Sequence, residues 1–152
     1  MQRKIVIVMC NDPDEKNDVD LFGPLHGAAD TEGYEVVKYG GLNSNGAPVL
    51  AVREAAVDVW KLIRDSGAEG LVLDTCGLSV VEDPNNFWIN VYEELLGMTP
   101  FSEYARHLTV IIWSRYLTPE KIETLERLGV PRDRILDRFN NTPEEVLAHF
   151  PR

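Results

Sequence analysis

The side chains of this 152-residue chain best suited to chemistry sit directly behind apolar runs. Cys10, Asn11, Asp12 and Asp14 follow KIVIVM. Asp74 closes GLVLD, with Thr75 and Cys76 next. Ser114 and Arg115 follow TVIIW, and Asp137 and Arg138 follow an Ile-Leu pair. If those runs are neighbouring parallel strands, their trailing residues gather on one rim of a sheet. That rim carries carboxylates, a hydroxyl and a cation, and carboxylates are ligands for a hard divalent cation. Asn11-Asp12-Pro13-Asp14 is equally a turn signal. Cys10 and Cys76 follow no metal-site spacing. They fall at adjacent strand ends, where the geometry permits a redox pair, although buried thiols more commonly just fill space. His26, His107 and His149 are scattered, and no pair has ligand spacing.

The elements that must position this rim alternate along the chain. Lys4–Met9 is a near-continuous apolar run, the mark of a strand buried on both faces. A first helix is expected from between Asp20 and Pro24 to near Glu32, with Gly33 at its exit. Tyr34–Tyr39 alternates in polarity and reads as a strand with an exposed face or edge. Gly40–Pro48 is a Gly- and Asn-rich loop without a phosphate-cradling motif. Val49–Ser66 has Val52, Ala56, Val59, Trp60 and Ile63 at helical spacing, and Gly67 caps it. Gly70–Asp74 is a short buried strand. Thr75–Leu108 is a long connection with helical stretches near Phe87–Leu96 and Pro100–Arg106. Thr109–Trp113 is the fourth strand and Ile135–Leu136 the fifth. Helices start at Thr118-Pro119-Glu120 and at Thr142-Pro143, each a cap followed by proline in the first turn. The former ends before Gly129 and the latter near Phe150. Trp60, Trp88 and Trp113 are expected in or beside the core.

Such alternation implies an α/β fold: a doubly wound, five-stranded parallel sheet in the flavodoxin-like order 2-1-3-4-5, with helices on both faces. Its ligand crevice lies between strands 1 and 3 at their carboxyl ends. The length fits one domain over residues 1–152, which buries enough surface to need no disulfide or structural metal. Acidic residues outnumber basic ones by 25 to 15, for a net charge of −10. That balance argues against nucleic acid and anionic membrane, since both need clustered Lys and Arg. No apolar stretch approaches the roughly 20 residues of a membrane span, and none near the amino end suits a signal peptide. A cytoplasmic location is expected.

Over most of its length the chain resembles the receiver domains of response regulators. IVMCNDPDE looks like that family's first strand and acidic loop, and Glu32-Gly33-Tyr34-Glu35-Val36-Val37 like its entry into strand 2. Leu71-Val72-Leu73-Asp74 stands where the family has its phospho-accepting aspartate. Val110-Ile111-Ile112-Trp113-Ser114 matches the strand that ends in a switch Ser or Thr. The run from Leu128-Gly129-Val130 through Ile135-Leu136-Asp137-Arg138-Phe139 to Thr142-Pro143-Glu144-Glu145-Val146-Leu147 follows the family's ending. The resemblance implies that Asp74 accepts a phosphoryl group and that Asp12, Asp14 and Asp74 hold Mg²⁺. Ser114 and Arg138 would bind the phosphoryl oxygens. A histidine kinase or another signalling protein would be the partner. The last two helices and strand 5 would form a face for that partner or for a second copy, giving a homodimer. Beyond taking a phosphoryl group from a donor, no enzymatic activity is expected.

Departures from the family's pattern shape the same expectation. The family's adjacent acidic pair falls on Cys10 and Asn11, which weakens Mg²⁺ binding. Arg138 replaces a lysine, and a planar fork is not a compact point charge. Phe139 replaces a proline, and the chain between Asp12 and Asp74 is longer than usual. The pattern is that of an atypical receiver, or a pseudo-receiver acting by binding alone through regulated protein–protein interaction. Two other readings compete. Asp12-Pro13-Asp14 resembles the Asp-x-Asp of haloacid-dehalogenase-like phosphohydrolases, although Cys10 and Asn11 separate it from the strand. A small-molecule or cofactor-binding flavodoxin-like module is the second. The Asp-x-His-x-x-Gly of cobalamin-binding domains is absent, as are Gly-x-Gly-x-x-Gly and the P-loop pattern. A flavin needs none of these motifs.

Overall fold

The computed structural model describes residues 3–9, 25, 27–40, 52–74, 84–114, 117–137 and 140–150. Strands β1 (Arg3–Met9), β2 (Tyr34–Gly40), β3 (Gly70–Asp74), β4 (Thr109–Ser114) and β5 (Ile135–Asp137) form one sheet in the order β2-β1-β3-β4-β5. Every pairing is parallel. The helices are α1 (27–31), α2 (Val52–Ser66), α3 (Pro84–Leu96), α4 (Thr99–Tyr104), α5 (Pro119–Arg127) and α6 (Pro143–Leu147). This is the doubly wound order expected from the alternation of apolar runs and amphipathic stretches.

The apolar runs make strands because both faces of the central sheet are covered. Ile5, Val6, Ile7 and Val8 of β1 are all inaccessible to solvent, and β4 is buried along its whole length. Strand β2 keeps Glu35 and Lys38 exposed and forms one edge, as its alternating polarity suggested. Its side chains also show the two layers. Tyr34 packs against Phe150, just beyond α6, with ring centroids 5.9 Å apart. Tyr39, five positions on and so on the opposite face, meets Trp88 of α3 at 6.2 Å and donates a hydrogen bond to Asp58 of α2 at 3.0 Å. Trp88 and Trp113 are core residues, and Trp60 is half-buried against Phe101 and Tyr104.

Helix ends fall where turn chemistry places them. Gly67 (φ +67°) lets the Gly67 and Ala68 amides both reach the Ile63 carbonyl, at 3.0 and 3.3 Å. Gly129 (φ +98°) closes α5, with its own amide on the Glu126 carbonyl at 3.0 Å and the Val130 amide on the Leu125 carbonyl at 3.1 Å. These closures need a left-handed residue, which glycine adopts without a Cβ penalty. Some boundaries differ from the sequence reading. Helix α3 begins at Pro84 rather than near Phe87. The stretch near Pro100–Arg106 is α4 followed by a 3-10 turn, Ala105–His107. Helix α6 stops at Leu147 instead of Phe150, because the His149 and Phe150 amides bond three residues back rather than four. Phe150 precedes Pro151, and a residue before proline is biased away from helix. Among the described residues, no helix is long and apolar enough to cross a membrane.

Candidate functional site

Sheet order decides what meets at the carboxyl rim. The order sets β2 on one side of β1 and β3 on the other, so the topological switch point, where folds of this kind hold their ligands, falls between the ends of β1 and β3. The register makes Met9 the partner of Asp74. Leu73 pairs with Ile112, which sets Asp74 and Trp113 at one level with Ser114 one step beyond. Ser114 in turn pairs with Asp137. The backbones of Asp74, Ser114 and Asp137 therefore end three adjacent strands on one rim. Ser114 and Asp137 are the last residues of their strands, one position further than the sequence suggested.

Ser114 is completely buried. Asp137 is half-exposed and holds Asn140 and Asn141. Its carbonyl accepts the Asn140 amide at 3.1 Å, the Asn141 amide at 3.0 Å and the Asn141 side-chain Nδ2 at 2.9 Å. Its carboxylate accepts Nδ2 of Asn140 at 3.1 Å. Trp113, one residue before Ser114, donates its indole N–H to the Asn141 carbonyl at 3.2 Å. Sequence reasoning missed this bond, because a backbone acceptor 28 positions away leaves no residue-type signature.

The other expected site residues are Cys10, Asn11, Asp12, Asp14, Thr75, Cys76, Arg115 and Arg138. They lie outside the described residues, as does the 41–48 part of the Gly-rich loop. For Asp74 the structure fixes the backbone, in β3. Among the described residues, no group of three or more His, Cys, Asp or Glu could hold a metal ion.

The strand order and rim geometry settle one point. The chain has a flavodoxin-like α/β fold. No protein-family model and no curated protein matches it. Solved structures do. A response regulator protein from Burkholderia pseudomallei, with a phosphorylated aspartic acid, calcium ion and citrate, is 14% identical with a TM-score of 0.56, over 98% of this chain and 66% of that one. A novel cobalamin-binding protein from Desulfitobacterium hafniense DCB-2 is also 14% identical with a TM-score of 0.56, over 97% of this chain and 57% of that one. The RPS4 and RRS1 TIR domain heterodimer is 16% identical with a TM-score of 0.53, covering 96% and 92%. The chain thus spans under two thirds of the first two. At these identities the likeness is one of fold. The flavodoxin-like sheet is receiver-like, and equally like that of a cobalamin-binding protein.

Proposed function

We propose that this flavodoxin-like domain is a signalling receiver that acts through regulated protein–protein interaction and is switched by phosphorylation of Asp74. The observation that carries the reading is the placement of Asp74 at the carboxyl end of β3, level with Met9 of β1 and one strand away from the buried Ser114. A carboxylate oxygen of Asp74 attacks the phosphorus of the donor. The bond from phosphorus to the donor's leaving atom breaks, a bridging oxygen in acetyl phosphate or an imidazole nitrogen in a phosphohistidine, and the leaving group departs with that electron pair. The product is an acyl phosphate on Asp74. The donor set for a cation consists of carboxylates from Asp12, Asp14 and Asp74, hard oxygen ligands that suit Mg²⁺. Bound there, Mg²⁺ would neutralise the phosphoryl charge. Ser114 and Arg138 would bind phosphoryl oxygens, and a histidine kinase would be the natural donor. The neutral Cys10 and Asn11 lower the expected metal affinity.

Incubation with acetyl phosphate and Mg²⁺, read by intact mass, tests the reading. The parent is expected to gain one phosphoryl group, with acetate leaving, and Asp74→Asn to gain none. A parent that gains none, and whose Trp113 fluorescence does not respond to Mg²⁺ with beryllofluoride, would overturn phosphorylation and leave a pseudo-receiver that binds partners unswitched. The structural likeness to a cobalamin-binding protein supports a second reading, a cofactor-binding module. Mixing the protein with cobalamin and following co-elution with a shifted absorbance spectrum would distinguish it.

A further inference from the structure

We propose that the amino end of the sheet carries a slot for a single aromatic ring, filled in cis by Phe150, and that this ring latches α6, so that residues 143–150 open as a unit while the sheet stays folded. The slot lies at the opposite end of β3 from Asp74 and does not depend on the reading of that residue.

The walls of the slot belong to three neighbouring strands. Gly70 opens β3, and Ile5 of β1 is its register partner. Tyr34 opens β2. The Phe150 ring lies over Gly70, in the space that a Cβ there would take, and it meets the Tyr34 ring with centroids 5.9 Å apart. Tyr34 is pinned in turn. The Arg3 guanidinium sits 4.6 Å from its centroid, and Arg3 is ion-paired to Glu69, the residue before Gly70. Glu69 is fixed by its backbone, with its amide on the Lys4 carbonyl at 2.9 Å and its carbonyl accepting the Thr109 amide at 3.0 Å. Each wall is thus held by the sheet and needs nothing from α6.

The occupant is held differently. The amides of Val146, Ala148, His149 and Phe150 bond to the carbonyls of Thr142, Glu144, Val146 and Leu147, so these bonds stay within one short segment. A five-residue helix has little stability of its own. What fastens it to the sheet is the burial of Val146, Leu147 and Phe150. An element fastened by side chains opens at lower cost than strands joined by a ladder of backbone bonds. Phe150 is the largest of the three, and the missing Cβ of Gly70 makes room for its ring.

Native-state amide hydrogen exchange of the full chain, over urea concentrations below unfolding, tests the latch. In the parent, the amides of Val146, Ala148 and His149 are expected to be about tenfold or more less protected than those of Glu69 and Thr109. They should also depend less on urea, because a small opening exposes less surface. Phe150→Ala is expected to remove about a hundredfold of the α6 protection, with Glu69 and Thr109 still protected. Benzene should restore much of that loss saturably, because an apolar cavity of ring size takes benzene, and it should leave the parent unchanged. Phe150→Leu keeps apolar bulk without the flat ring. It should fall between parent and alanine variant, and it carries the test of the latch if the alanine variant fails to fold. A common urea dependence for the α6 and sheet amides in the parent would overturn the latch. Unchanged α6 exchange in the Phe150 variants would mean that the short helix frays whatever its ring does, and would overturn the latch as well. An alanine variant that ignores benzene would mean that the walls collapse without Phe150, and would overturn the slot.

Discussion

At the scale of single residues, the tightest constraint lies at the amino end of β3, away from the candidate rim. Gly70 is buried beneath the ring of Phe150. A Cβ built there would lie 2.8 Å from Cζ of Phe150 and 2.9 Å from Cγ2 of Ile5, and closer still to Cε1 of the same ring. Neither neighbour has room to yield. Ile5 is fully buried in β1, and Phe150 is wedged against Tyr34, whose ring carries the Arg3 guanidinium 4.6 Å from its centroid. Arg3 is itself ion-paired to Glu69. Gly70→Ala is therefore expected to cost about 1–3 kcal/mol through overpacking, read as a lower urea midpoint. Gly27 is the opposite case, an exposed residue in α1 where an added Cβ would meet nothing within 4 Å. Gly27→Ala should gain about 0.5–1 kcal/mol from a stiffer unfolded chain. Equal midpoints for the two variants would contradict the packing argument.

At the scale of elements, α6 shows what a short helix depends on. Five residues carry little intrinsic helical stability, so the ends must supply it. Pro143 presets the first turn, and the reciprocal Thr142–Glu145 bonds satisfy two amides that would otherwise lack intrahelical partners. Thr142→Ala is expected to cost about 1 kcal/mol, and Thr142→Ser to restore most of it. Thermal unfolding of the three proteins checks this, and a serine variant as unstable as the alanine one would refute the capping argument. The start of α6 was legible in the sequence because Thr-Pro-Glu-Glu is a local signal with a local mechanism. Its end was expected near Phe150, and the local bias of a residue before Pro151 brought it in to Leu147, with three-back bonds at His149 and Phe150. The strands were legible for a similar reason. A parallel sheet buried on both faces leaves unbroken apolar runs such as KIVIVM and TVIIW. Of the candidate rim, Asp74, Ser114 and Asp137 were legible as strand-end residues, and the register places them on three adjacent strands. The Trp113–Asn141 bond and the Tyr39–Asp58 bond were not, since each is made through tertiary contact alone.

At the scale of the whole molecule, burial of phenols makes stability fall at alkaline pH. Tyr92 is packed against Phe101 in the core, and burial pushes its hydroxyl up to about 12. Burial also raises Tyr39, with further contributions from its hydrogen bond to Asp58 and from the charges of Asp58 and Glu54. Burial raises Tyr104 too, but that residue is half-buried and contributes less after solvent screening. An unfolded tyrosine ionises near 10, as an order-of-magnitude reference. Between that value and the folded one, the unfolded chain binds fewer protons than the native one, so unfolding becomes easier as pH rises. The contribution of each phenol is fully present below about pH 10 and is lost on the way to its folded pKa. For Tyr92 the gap between the unfolded and folded values corresponds to about 2–3 kcal/mol. Urea unfolding from about pH 9 to about pH 12 is expected to show stability declining steadily above about pH 10. Tyr92→Phe, which keeps the ring and removes the proton, should flatten that decline while the proteins stay close in stability near neutral pH. Parallel declines in parent and variant would mean that the core opens around Tyr92 before the phenol ionises, and the buried phenol would then not be what limits the alkaline stability of the fold.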